Sequence, residues 1–360
     1  MGVVDEPIRE EALRGALLGV ALGDAVGLPY EKLSPRRALR LYPEPLRPRL
    51  VGRWALVSDD GEMALMTARA LAASGGEPGR FERMLVRELK VWLATLPAGV
   101  GLATARACLK LWLGVSPARS GVFSAGSAPA IRGLVLGTAL AGQSQRWQAL
   151  CRVATRITHT DEKAFHGALV AAALAEWATL RHRQPLQGEE ILQALSQLPS
   201  LEGSALHHLI RQVVESAARG ESTEQFVHAQ GWSRGVSGFV YHTLPVALHA
   251  WLAHPTSFAE ALGAVIRSGG DTDTVGALLG GWMGSHLGEN AFPEAWLAGL
   301  KDPLCSRKQI AALGAQVVSA VNKGIGVPAR RPFYGLRLAR NLLFLGVVLT
   351  HGFRRLLPPY

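Results

Sequence analysis

Two short acidic strings constrain the fold of this chain more than any other feature. Ser58-Asp59-Asp60-Gly61-Glu62 and Gly269-Gly270-Asp271-Thr272-Asp273-Thr274 each open an apolar run that reads as a helix. Each gathers carboxylates and a hydroxyl within a few residues, and carboxylates so crowded repel one another unless a cation neutralises them. The strings stand some two hundred residues apart. A single site therefore requires a fold that brings two helix starts together, as two-metal hydrolytic centres do. Hard oxygen donors of this kind suit Mg²⁺ or Mn²⁺ better than zinc. A plainer reading is helix capping, because Ser and Asp are common N-caps and acidic residues favour the first turn. Asp271 and Asp273 together exceed what one cap requires, and the preceding double glycine suits an unusual backbone conformation.

Ala, Leu and Gly dominate the 360 residues while Ile, Thr and Tyr are sparse, which favours helices over strands. Cys108, Cys151 and Cys305 are scattered, odd in number and without metal-ligand spacing. A reduced, cytoplasmic protein accounts for them most simply. Residues 1–11 are acidic and contain no hydrophobic signal core. Of the net charge of +10, residues 301–360 contribute +9, so the main body is nearly neutral. That distribution weakens any argument for a grip on a polyanion, and no nucleic-acid partner is expected.

Leu13, Ala16, Leu17, Val20 and Asp24 share one helical face, punctuated by Gly15, Gly19 and Gly23, a spacing that lets another helix pack very close. Further helices are predicted over 63–73, 80–96, 103–113 and 162–180, with an apolar segment over 239–252 and a polar loop over 28–53. Residues 120–132 are small, which permits either close approach of a ligand or merely a tight turn. Residues 182–205 read as a surface excursion around one short helix. The run 275–287 carries Gly276, Gly280 and Gly284 at four-residue spacing, and its thirteen residues are too few to span a bilayer. It is expected as a buried core helix. The organisation is thus a main body over 1–322, a linker over 323–334, and a basic, apolar C-terminal helix within 335–360. Arg337, Arg340, Arg354 and Arg355 flank the apolar stretch of that helix. They fit docking on the body or on a partner protein, and also peripheral membrane contact.

Read in chain order, the motifs resemble those of the ADP-ribosylglycohydrolase family. The resemblance is carried by Gly15-Ala16-Leu17-Leu18-Gly19 through Gly23-Asp24-Ala25 to Glu31, and by Ser58-Asp59-Asp60 with Glu62-Met63. It continues in Ser124-Ala125-Gly126 through Pro129-Ala130-Ile131-Arg132, and in Thr158-His159. Gly235-Val236-Ser237-Gly238 with His242-Thr243-Leu244-Pro245 follows, and GGDTDT over 269–274 ends the series. The resemblance implies an all-α fold, an orthogonal multi-helix bundle around a binuclear metal site, with the C-terminal helical extension outside the family core. It implies two Mg²⁺ (or Mn²⁺) ions held by Ser58, Asp59, Asp60, Asp271, Asp273 and Thr274. It also implies Glu31 as the catalytic carboxylate, with Gly126, Ser127, His159 and Gly270 against the substrate. The implied reaction is metal-dependent hydrolysis of the glycosidic bond between ADP-ribose and an acceptor. The substrate would be an ADP-ribosylated protein or a small ADP-ribosyl compound.

Two departures bear on this reading. Gly61 stands where the family commonly has threonine, which removes a hydroxyl near the metal, and Ser127-Ala128 stands where an Asn-Gly pair is usual. The second puts substrate contact in doubt, so a non-catalytic ADP-ribose binder using the same pocket is the alternative. On ligand chemistry alone a two-metal phosphatase is also open. Asp24 is expected as a buried group tying helices together, Arg132 either anchors its loop or touches phosphate, and His242 is expected to be structural. Because the implied chemistry uses no residue beyond Thr274, removal of 335–360 is expected to leave turnover intact.

Overall fold

The computed structural model describes residues 5–43 and 46–358. Among these residues it contains eighteen α-helices, three short 3-10 turns and a few isolated β-bridges, with no sheet. The helices that place the site are α1 (Glu6–Gly27), α2 (Asp59–Ser74), α3 (Pro78–Ala94), α4 (Leu102–Trp112), α5 (Ala128–Ala139), α6 (Glu162–Leu180), α7 (Val240–Ala253), α8 (Thr272–Leu287), α9 (Arg307–Lys323) and α10 (Tyr334–Arg354). The predicted helices are present with small shifts at their ends. The stretch 28–53, expected as loop, holds a short helix, Pro35–Leu41.

The two glycine-punctuated runs are partners. A Cβ on Gly19 would lie 1.9 Å from the Gly280 carbonyl oxygen, one on Gly23 1.9 Å from that of Gly276, and one on Gly15 2.2 Å from that of Gly284. Seen from α8 the fit is reciprocal, with Gly280 facing Gly19 at 2.1 Å and Gly284 facing Gly15 at 2.1 Å. Only glycine allows two helix backbones this close, at a propensity cost of roughly 0.5–1 kcal/mol per residue against alanine. The register runs antiparallel, so the end of α1 meets the start of α8. There Thr272 Oγ1 donates to the Gly27 carbonyl at 2.9 Å. By length and composition α1 could cross a membrane, but 94% of that stretch is buried, which marks it as a core helix.

A second close pair, α5 and α6, runs parallel. A Cβ on Gly133 would lie 2.2 Å from the Ala168 carbonyl, and one on Gly137 2.0 Å from that of Ala172. Parallel packing puts the starts of α5 and α6 at one end, so the small-residue stretch before Ala128 meets the Thr158-His159 turn.

Of the placements open for the C-terminal helix, docking on the body is the one adopted. Arg340 forms a buried ion pair with Asp302 and also donates to the Val57 carbonyl. Asn341 Nδ2 donates to the Thr95 carbonyl at 2.8 Å, and Arg337 Nε lies 3.5 Å from Glu62 Oε1. Phe344 is buried in a small apolar cluster with Leu28, Leu50, Leu56 and Ala98. The opposite face of α10 leaves Leu342, Leu343, Leu349 and Phe353 exposed. The helix ends at Arg354, and Pro359 and Tyr360, which close the basic tail, lie outside the described residues.

Candidate metal centre

The two acidic strings meet. Thr274 Oγ1, from the second string, donates to Asp60 Oδ2, from the first, at 2.7 Å. The same hydroxyl lies 3.2 Å from Asp271 Oδ1, and Asp273 Oδ1 accepts from the Thr274 backbone N–H at 3.0 Å. Ser58 does act as a cap, since its hydroxyl accepts from the Asp60 backbone N–H at 3.4 Å. Asp271 occupies the cap position of α8 without any side-chain cap bond, and its buried Oδ2 has no hydrogen-bond partner. Capping therefore accounts for one string and leaves the other unexplained.

Glu31 reaches the cluster through the register of α1 and α8. Just past Gly27 the chain turns, Lys32 N–H donates to the Gly270 carbonyl at 2.7 Å, and Gly270 N–H donates to the Leu33 carbonyl at 3.2 Å. On the other side Asp271 N–H donates to the Val236 carbonyl at 2.8 Å. Gly270 is thus held between two backbones at φ +86°, where a Cβ would lie 2.0 Å from the Val236 oxygen. This is the unusual conformation anticipated for the double glycine. Its consequence is that ligand atoms of Glu31, Asp271 and Asp273 all come within 4.8 Å of one another.

The electrostatics are those of crowded, buried carboxylates. Burial, followed by the neighbouring Asp24 and Glu31 charges, pushes the Asp59 carboxyl up to about 8. Burial and the adjacent Asp59 hold Asp60 well above the usual carboxylate range, and burial with Glu31 does the same to Asp273. Asp271 is raised to about 6, again chiefly by burial. Carboxylates so placed either take up protons or gain a divalent cation. The donors are all hard oxygens, and one buried carboxylate oxygen is unpartnered, so the residues fit a hard divalent cation.

Asp24 lies behind the first string, fully buried. Its Oδ2 accepts from the Ser58 and Gly61 backbone N–H groups, each at 2.8 Å, which ties α1 to the start of α2 as expected. The same packing explains Gly61. A Cβ there would lie 2.7 Å from Val57 Cβ and 2.9 Å from Asp24 Oδ2, pointing into the helix contact.

The strings form the floor of a cleft of about 510 Å³, a size common for small-ligand sites. Glu31, Ser58, Asp59, Asp60, Asp271, Asp273 and Thr274 all line it, as do Gly126, Ser127, His159 and Gly270. A Cβ on Gly126 would lie 3.1 Å from His159 Nε2. His159 Nδ1 is 2.8 Å from Thr158 Oγ1, which accepts in turn from buried Arg132 at 2.5 Å. Arg132 therefore anchors the turn and does not line the cleft. Burial and the Arg132 charge push the His159 imidazole down to about 3, so it is neutral. His242 packs against Trp232 and bonds to Ser237 at 2.8 Å, the expected structural role.

Three parts of the cleft wall were not anticipated from sequence: Leu28, the turn at 98–101 with the first residues of α4, and the pair Phe344 and Val348 from α10. Small residues at Ala98, Gly99 and Gly101 were the available signal for the second. Nothing in the local pattern of α10 distinguishes Phe344 from its other apolar residues.

The sequence pattern of ADP-ribosylglycohydrolases matches residues 5–325. The chain is 28% identical over 305 residues to ADP-ribosyl-[dinitrogen reductase] glycohydrolase of Rhodospirillum rubrum, covering 81% of this chain and 91% of that one. It is 27% identical over 330 residues to ADP-ribosylhydrolase ARH3 of Homo sapiens, covering 79% and 87%. Among solved structures it is similar to an ADP-ribosylglycohydrolase-related protein complex, with a TM-score of 0.65 and 27% identity over 88% of this chain and 99% of that one.

Proposed function

The chain belongs to the ADP-ribosylglycohydrolase family, and from that premise we propose a divalent-metal-dependent hydrolase that releases ADP-ribose from an acceptor. The observation that carries the metal dependence is the convergence of Glu31, Asp271 and Asp273 within 4.8 Å, joined to Asp60 through Thr274. Ser58, Asp59, Asp60, Asp271, Asp273 and Thr274 are the proposed ligands for two Mg²⁺ or Mn²⁺ ions. Bound there, the ions supply Lewis acidity and neutralise the crowded carboxylates.

The chain's own residues do the rest. Glu31 lies beside Asp271 and Asp273 in the cleft, and its carboxylate accepts the proton of the water that attacks the anomeric carbon and returns it to the acceptor atom as the glycosidic bond breaks; such assistance typically contributes about 10²–10⁴-fold. Arg132 holds the Thr158 hydroxyl, and the hydrogen bond between that hydroxyl and His159 Nδ1 fixes the ring. Its Nε2 then faces Gly126 and the cleft, placed for a hydrogen bond to substrate. Gly126 and Ser127, just ahead of α5, present backbone N–H groups suited to phosphate oxygens. Gly270 adds close backbone approach beside the ligands.

An acceptor panel tests this reading. ADP-ribose linked to arginine, serine, a nucleotide base and acetate is incubated with Mg²⁺, with Mn²⁺ and with chelator. Metal-dependent release of free ADP-ribose from at least one compound is expected. Tight ADP-ribose binding without release from any of them would favour a non-catalytic binder.

A further inference from the structure

The C-terminal helix lies beyond the segment that matches the family, which ends at residue 325, yet it lines the cleft. It is also fixed there from several sides. Arg340 holds the Val57 carbonyl, one residue ahead of the first acidic string, and Arg337 faces Glu62 within that string. His351 Nε2 lies 2.9 Å from the Leu50 carbonyl, and Arg355 donates to the Pro29 carbonyl at 3.0 Å, so the loop carrying Glu31 is pinned as well. Asn341 holds Thr95, next to Leu96, whose φ of +54° is strained for a leucine. A helix tied into both flanking loops and into the metal-bearing string is a rigid part of the wall.

The cleft has two chemically different sides. Asp271 stands beside Gly238, with Asp271 Oδ2 3.3 Å from where a Gly238 Cβ would be, and this side carries Gly126, Ser127, Ser237 and His159. It offers backbone N–H groups, hydroxyls and an imidazole, the donors that pyrophosphate and ribose need. Asp59 stands beside Gly99, with Asp59 Oδ1 3.7 Å from where a Gly99 Cβ would be. Next to it Leu28, Ala98, Leu102, Phe344 and Val348 present carbon. The polar groups on this side are limited to the start of α4, where Gly101 caps without a side-chain bond, and to Thr104, so a pyrophosphate placed there would meet fewer donors than on the Asp271 side. The ADP-ribose moiety therefore belongs on the Asp271 side, and the group on the far side of the scissile bond falls against α10.

We propose that α10 forms the acceptor-side wall of the cleft, with Val348, backed by the buried Phe344, as the specificity-determining residue that favours an acceptor presenting an apolar flank, such as an acetyl methyl or the aliphatic stem of arginine. This rests on the hydrolase reading above, and the test separates the two. Val348 is half-buried, so Val348→Glu puts a charge in the wall with little disturbance to the core, and Val348→Leu is the conservative control. Each variant is assayed in the full chain with Mn²⁺ on O-acetyl-ADP-ribose and an ADP-ribosylarginine peptide, and its affinity for free ADP-ribose is measured by calorimetry. Val348→Glu is expected to lower kcat/KM for the better substrate about tenfold or more through KM, while the free ADP-ribose Kd moves less than about twofold and Val348→Leu stays near wild type. Unchanged kcat/KM, or an equal loss of affinity for free ADP-ribose, would overturn the assignment. If the wild-type protein releases no ADP-ribose from either compound, the hydrolase reading fails on its own. The wall is then read from Kd alone: weaker binding of the acceptor-bearing compounds only supports it, and no difference between them and free ADP-ribose overturns it.

Discussion

Glu31 is the residue whose role depends most on its neighbours. It lies in a loop, bonded at 2.7 Å to the exposed Lys32, and only the pairing of its turn with Gly270 brings it to Asp271 and Asp273. Glu31→Gln preserves shape and one oxygen donor but cannot take a proton. It is expected to keep affinity for free ADP-ribose and lose about 10²–10⁴-fold in kcat. Wild-type turnover in this variant, measured at saturating Mn²⁺, would remove Glu31 from the proton transfer. The residues of both strings were legible in the sequence because their chemistry is dense and local. Phe344 and Val348 were not, because one apolar residue among many on a helix carries no mark of what it will face. Gly61 shows the same limit: the residue type implies a missing hydroxyl beside the acidic string, whereas the direction a side chain there would take, toward Val57 and Asp24, depends on packing between α1 and α2.

At the scale of elements, the site is a product of two helix contacts. Each glycine run was legible as a close-packing helix, but their mutual register was not, since nothing in either run names its partner. Register decides function here: it sets Gly27 against Thr272 and hence Glu31 against the second string. Gly280→Ala would place a Cβ 2.1 Å from the Gly19 carbonyl oxygen. Overpacking of this kind typically costs about 1–3 kcal/mol, and weaker Mn²⁺ binding should accompany it as α8 shifts. Gly346→Ala, in the middle of α10 with open space around it, is the matched control and should stabilise by up to about 1 kcal/mol. Denaturant melts of the two variants should move in opposite directions, and similar midpoints would contradict the packing account. The same scale reverses the expectation for the tail. Removing 335–360 would leave Asp302 without Arg340 and uncover the cluster around Leu28 and Ala98. Turnover is therefore expected to fall with the truncation, and full activity in a soluble truncated protein would contradict the structure's placement of α10.

For the whole molecule, stability should depend on pH in two opposed ways. His249 is fully buried between Ser216 and Thr223, each within 3.1 Å, and burial pushes its imidazole down to about 4 from its ordinary 6.5. A depressed pKa contributes stability that is present above 6.5 and lost as pH falls toward 4, on the order of a few kcal/mol at most. His159, pushed down to about 3, acts in the same sense. The cleft carboxylates act in the other, because raised pKa values, about 6 for Asp271 and about 8 for Asp59, give stability that is present below 3.8 and lost as pH rises through them. Metal-free protein should then melt highest at mildly acidic pH, and His249→Gln should flatten the acid side. Added Mn²⁺ should raise Tm far more at pH 8 than at pH 5. An equal shift at both would mean that the carboxylates are not its ligands.

The claim on which the rest depends is that two strings some two hundred residues apart form one metal centre. Calorimetric titration of Mn²⁺ into the wild-type protein, Asp60→Ala and Asp273→Ala tests it most directly, since each variant removes one carboxylate from one string. The structure predicts that either substitution alone weakens Mn²⁺ binding markedly and that metal-dependent release of ADP-ribose is lost with it. Wild-type affinity and stoichiometry in either variant would contradict a shared centre.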